Sequence, residues 1–155
     1  MIQRIQSLFL ILIAMLSGFL LTGSVISFIN KTGSGINITF AEVIKSTGGQ
    51  EIEVIEKLLP LTILIIIIPV ISLITIFLYK KRKYQLVMSR VIIILNLILI
   101  IAFLHISLRI ISEYGAQLVP GVKMIIPVLM LILAILTFRG IRKDDKLVKS
   151  YDRLR

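Results

Sequence analysis

No cysteine occurs anywhere in the 155 residues. Disulfides, thiolate catalysis, zinc clusters and iron–sulfur centres are excluded together. A lipid-modified N-terminal cysteine and thiol–disulfide exchange go with them. A single histidine, His105, cannot supply both axial ligands of a haem. Acidic residues are scarce as well, eight Asp and Glu against eighteen Lys and Arg, for a net charge of +10. There is no phosphate-cradling glycine loop, no pair of intramembrane carboxylates, and no nucleophile with a base at meaningful spacing. The expectation is a protein that is not an enzyme and holds no cofactor or metal.

What the chain has in excess is apolar residues, 57% of the total, with a mean hydropathy of +1.04. A soluble domain is about 45–50% apolar and spreads that fraction at helical or strand period. Here the apolar residues come in unbroken blocks. Ile5 to Ile29 and Leu58 to Tyr79 contain no Asp, Glu, Lys, Arg or His. A helix needs about 20 such residues to cross the hydrocarbon core. The third block, 90–111, is interrupted by His105 and Arg109 towards its end. The fourth, 118–138, reaches spanning length if Lys123 snorkels its amine to the interface. A cleavable signal has a shorter apolar region and a small-x-small site, which the first block lacks. The expectation is an all-α membrane protein, one domain over residues 1–155, whose four transmembrane helices at 5–29, 58–79, 90–111 and 118–138 form a bundle.

Charge sets the direction of insertion. Arg4, the acid-free loop 80–89 with Arg90 after it, and the tail 139–155 together hold 13 of the 18 basic residues. Basic segments stay on the cytoplasmic side, so both termini are expected there. The +10 is then mainly a topology signal, with anionic lipid headgroups as its partner and no nucleic acid expected.

The loop 30–57 is the only sizeable part outside the bilayer on the other face. Ile36, Ile38 and Phe40 alternate with Asn37 and Thr39, and Glu51, Ile52, Glu53 and Val54 alternate after a Ser46-Thr47-Gly48-Gly49 turn signal. That pattern fits a small β-hairpin. In the tail, Leu147, Val148, Tyr151 and Leu154 share one helical face, as in a short helix lying on the inner leaflet. Pro69 and Pro127 are expected to kink their helices, and Ala14, Gly18 and Thr22 form a small-residue stripe on the first.

Intramembrane polar groups concentrate in the third block. Ser89, Asn96 and Ser107 share one sector, while His105, Arg109 and Glu113 follow one another at i, i+4 on roughly the opposite side. Asn96, His105, Arg109 and Glu113 are therefore the candidate site for a small molecule or lipid. A packing account outweighs it: His105 bonded to a neighbouring helix, Arg109 snorkelling and paired with Glu113, Asn96 bonded across a helix pair.

The two ends carry a family resemblance. The opening Met1-Ile2-Gln3-Arg4-Ile5-Gln6-Ser7-Leu8 and the ending Lys143-Asp144-Asp145-Lys146-Leu147-Val148-Lys149-Ser150…Asp152-Arg153-Leu154-Arg155 resemble the domain of unknown function 4293 family. Tyr151-Asp152 stands where Ala-Asp is usual. The resemblance implies a small four-span inner-membrane protein, mainly of Bacteroidetes, and no activity. Its distinctive residues lie at the ends rather than in the polar cluster. The first functional expectation is thus a non-enzymatic accessory or scaffold protein acting through Lys143, Lys146, Lys149, Arg153 and Arg155 on a protein partner or anionic lipid. A homo-oligomer is compatible with it. The alternative is a small-molecule or lipid binder or carrier using the polar site of the third block.

Overall fold

A computed structural model describes residues 3–30, 34–47 and 51–153. In chain order the elements are α1 (Gln3–Leu20), β1 (Ser24–Ile29), β2 (Gly35–Thr39), β3 (Glu42–Thr47), β4 (Glu51–Lys57), α2 (Leu59–Phe77), α3 (Arg82–Tyr114), β5 (Gln117–Val119) and α4 (Ile126–Arg153). Each helix packs against two others, α1 and α3 both lying between α2 and α4. The strands form one antiparallel sheet in the order β4-β3-β2-β1-β5.

The all-α expectation is thereby overturned. Three of the strands fall in the loop read as a hairpin, but β1 and β5 are carved from stretches read as the ends of the first and fourth apolar blocks. The physical reason is local. Gly23 adopts a left-handed φ of 61° that ends the α1 helix. The Ser-Val-Ile-Ser-Phe-Ile run after it is β-branched and aromatic, and suits a pleated surface. Gly115, at φ 56°, closes α3 in the same way before β5. Apolarity alone could not separate a strand buried under the sheet from the last turns of a helix.

The helix lengths change with it. Leu59–Phe77, Arg82–Tyr114 and Val122–Asp145 are each long and apolar enough to cross a membrane, whereas the apolar part of α1, Ile5–Leu20, is shorter. Four equivalent spans forming a purely helical bundle are not what the chain builds.

Polarity is inverted relative to a soluble protein. Leu8, Ile63, Ile101, Leu108 and Ile132 are among many large apolar side chains left exposed, while Gln6, Ser17, Ser72, Thr75, Gln85, Ser89, Asn96, Ser107 and Thr137 are buried. The buried positions recur at alternating steps of four and three. They run 6, 10, 13, 17, 20 on α1 and 61, 65, 68, 72, 75 on α2. That stripe is the seam of knobs-into-holes packing. Most of the buried hydroxyls return to their own helix, as Thr75 to the Ile71 carbonyl, Ser107 to Phe103 and Thr137 to Leu133.

The Ser72 hydroxyl has no partner among the described residues, and Ser17 reaches another helix. Pro69 lies inside α2 and has no N–H to give the carbonyl four residues back. That carbonyl belongs to Ile65, and the Ser17 hydroxyl of α1 donates to it at 2.7 Å. The other proline needs no such answer. Pro127 is the second residue of α4 rather than a mid-helix kink, and the Ile126 N–H takes the Lys123 carbonyl in the 3-10 turn before it. The small-residue stripe makes no close approach either, since a Cβ at Gly18 would meet open space.

The sheet caps one end of the helices. Ile36, Ile38, Val43, Val25 and Phe28 join Leu58, Leu61, Phe103 and Ile110 in one continuous core. The Thr62 hydroxyl donates to the Phe40 carbonyl at 2.9 Å, and the Leu58 N–H to Ala41 at 2.6 Å. Lys123 sits 4.9 Å over the Phe19 ring and donates to the Thr22 carbonyl, tying the approach to α4 to the end of α1.

The proline–serine pairing gives a test by double-mutant cycle. Ser17→Ala is expected to cost about 1 kcal/mol of stability in a mixed-micelle unfolding titration. In a Pro69→Ala background the restored N–H bonds Ile65, so the same Ser17→Ala change becomes nearly silent. Equal costs in both backgrounds would contradict the pairing.

Candidate functional site

The helices bring two polar clusters to opposite ends of the molecule. At the end away from the sheet, α1 meets α4 at Gly140, where a Cβ would come within 3.0 Å of the Gln6 side chain. The absence of that Cβ lets Gln6 lie against the helix and donate to Asp144 Oδ2 at 2.7 Å. Arg82, at the start of α3, donates to the Asp144 backbone carbonyl at 3.2 Å. Gln85 is buried beneath and reaches the Thr75 carbonyl at 3.4 Å. One residue of α4 thus holds the beginning of α1 and the turn between α2 and α3. Beyond it α4 continues without a break to Arg153. The tail is a prolongation of the helix and not a separate segment. Lys143 belongs to this stretch, as do Lys146, Lys149 and Arg153 by backbone. Arg155 lies outside the described residues.

At the sheet end, Arg109 faces two carboxylates. Its Nη1 stands 3.4 Å from Glu56 Oε2 of β4, and its Nη2 3.6 Å from Glu113 Oε1 one turn on. All three side chains are about half exposed, at 47%, 46% and 54%. Pairs of that length and exposure contribute under about 1 kcal/mol each. They line an open cleft of about 200 Å³ whose walls include Ile55, Ile106, Ile110 and Tyr114. A second cleft, about 170 Å³, lies between α3, α4 and β1. It is apolar, with Phe103, Leu104, Met124 and Val128 among its walls.

The four sequence candidates do not form one site. Arg109 and Glu113 do come together. His105 is exposed and, among the described residues, makes no hydrogen bond to another helix, so the expected bond is absent there. Asn96 is fully buried about 20 Å along the helix from Arg109. Its amide donates to Ile92 of its own helix at 2.8 Å, and its Oδ1 has no partner. No cross-helix bond forms there. Among the described residues no group of His, Asp and Glu is arranged to hold a metal ion.

A family model described as Domain of unknown function (DUF4293) matches residues 2–154. The chain belongs to that family. No curated protein and no solved structure matches it. For this DUF4293 chain the geometry therefore carries the functional argument. Two contacts escaped the sequence reading. Glu56 was invisible because it lies 53 residues from Arg109 and only the β4 register brings it near. Gln6 and Asp144 are 138 apart, although both fall in the end motifs that carry the family resemblance.

Substitutions in α3 separate packing from site. His105→Ala is expected to leave micellar stability within about 0.5 kcal/mol, as for an exposed residue without partners. Asn96→Leu is expected to leave stability unchanged or higher, because it removes a buried acceptor that no donor satisfies. A large loss in either would assign it a contact that this packing lacks.

Proposed function

We propose that the protein is an integral component of a bacterial inner membrane, with both ends cytoplasmic, that works as a non-enzymatic accessory or scaffold through its basic C-terminal helix. The observation that carries this reading is the continuity of α4 from its apolar segment into Arg139, Arg142, Lys143 and beyond, anchored at Asp144 by Gln6 and Arg82. A helix clamped at its base presents its charges at a set height and angle. Partners that fit are an acidic protein surface and anionic headgroups, which attract each nearby Lys or Arg by about 1 kcal/mol.

The orientation draws support from the same end. The α2–α3 turn with Lys81 and Arg82, the beginning of α1 and the tail all gather where Gln6 meets Asp144, opposite the sheet. Basic residues cluster there, as expected of a cytoplasmic face. The alternative, a carrier built from Asn96, His105, Arg109 and Glu113 together, has less support, since Asn96 lies about 20 Å from Arg109.

Two measurements test the proposal. The chain has no cysteine, so single cysteines can be introduced without background. Glu42→Cys on β3 is expected to react with an impermeant maleimide in intact spheroplasts, and Lys143→Cys only after lysis. Labelling of both from one side would refute the orientation. Gentle purification from native membranes is expected to recover a stoichiometric protein partner. Replacing Lys143, Lys146, Lys149, Arg153 and Arg155 by Gln should lose it at unchanged protein level. Normal recovery from that variant would overturn the scaffold role.

A further inference from the structure

The cleft at the sheet end of α3 has a charge pattern that selects its occupant. We propose that it seats the headgroup of an aminophospholipid, the phosphate on Arg109 and the ammonium between Glu56 and Glu113. This rests on membrane residence and is independent of the tail, which lies at the other end.

Depth comes first. Arg90 and Arg109 are nineteen residues apart on one unbroken helix, about 28 Å, close to the thickness of a hydrocarbon core. Between them His105 is the only ionisable residue. With Arg90 at one interface, resting over the Phe138 ring at 5.5 Å, Arg109 lies at headgroup level on the other. The α3 surface leading away from it towards the bilayer centre exposes Leu108, Leu104 and Ile101, which suit acyl chains.

Charge comes second. The cleft lining carries one cation, Arg109, and two carboxylates, Glu56 and Glu113. A purely anionic headgroup would meet a net charge of −1, and a purely cationic ligand would meet the guanidinium. A zwitterion with its charges a few ångströms apart satisfies both. Arg109 donates one of its five N–H groups, to Glu56 at 3.4 Å, and only stands near Glu113 at 3.6 Å, both longer than the 2.7–2.9 Å of a committed charge-assisted bond. The guanidinium is held in place with donors left for phosphate oxygens. The carboxylates accept hydrogen bonds, which a primary ammonium supplies and a quaternary one does not. The Tyr114 ring stands alone in the lining and makes no aromatic cage for choline.

The test uses the full-length protein, delipidated in detergent, with native mass spectrometry of bound lipid. Equal mixtures of phosphatidylethanolamine, phosphatidylcholine and phosphatidylglycerol are offered. Wild type is expected to retain phosphatidylethanolamine over each of the others by about fivefold, the worth of one good exposed charge pair. Arg109→Gln lowers retention of phosphatidylethanolamine about fivefold by removing the phosphate partner, and Arg109→Lys keeps part of it. The Glu56→Gln, Glu113→Gln double variant reverses it towards phosphatidylglycerol, a switch that loss of structure would not produce. Indiscriminate retention by wild type, or a double variant that still favours phosphatidylethanolamine, would overturn the assignment. Glycerophosphoethanolamine added at millimolar concentration separates the sources. Displacement of the lipid identifies the free headgroup as sufficient, and retention identifies the anchored lipid, the chemistry being shared.

Discussion

The Ile65 carbonyl is the point on which the helical packing turns. A proline at position 69 removes the N–H that would have satisfied it, and a bilayer has no water at that depth to replace it. The answer comes from another helix, through Ser17. That bond ties α1, whose apolar stretch is the shortest of the four helices, to α2 at mid-helix. Once α1 is set, Leu10, Ile13 and Leu20 fall into the shared core, and Gln6 arrives opposite Gly140. The polar contacts at the far end are downstream of a vacancy at the centre.

The sheet does a different job. Five strands cover the helix ends, so the connections on that face are paired backbone instead of loose loop. Because β1 follows α1 directly and β5 follows α3, the sheet takes strands from both halves of the chain. Its hydrogen bonds to α2 through Thr62 and Leu58 join it to the helices, and its buried isoleucines continue their core. Glu56 reaches Arg109 only because this sheet places the end of β4 beside α3.

Much of this was legible beforehand, and the failures have a common cause. The apolar runs at 59–77 and within 82–114 could be read directly, as could the strand alternation at Ile36 and Ile38, which are both fully buried. The sector shared by Ser89, Asn96 and Ser107 does face the interior. What could not be read was where apolar helix gives way to apolar strand, since Val25, Ile26 and Phe28 look alike in either. Gly23 was the available signal. Pro69 was seen as a kink, but the step from a missing N–H to a donor on a neighbouring helix needs the neighbour. The Arg109–Glu56 contact depends on strand register, which only the folded sheet supplies. His105 stood out for its chemistry, and the packing gives it no partner among the described residues.

The unbroken passage of α4 from its apolar segment to Arg153 has a further consequence. A helix encodes direction as well as distance, each residue turning the next by about 100°. With Gly140 pressed to Gln6 and Asp144 held by two partners, the phase of everything beyond is inherited from the packed core. For the scaffold role proposed above, the tail backbone then carries two coordinates, charge and azimuth, and one inserted residue after Asp144 would turn the helix from there to Arg153 by about 100°.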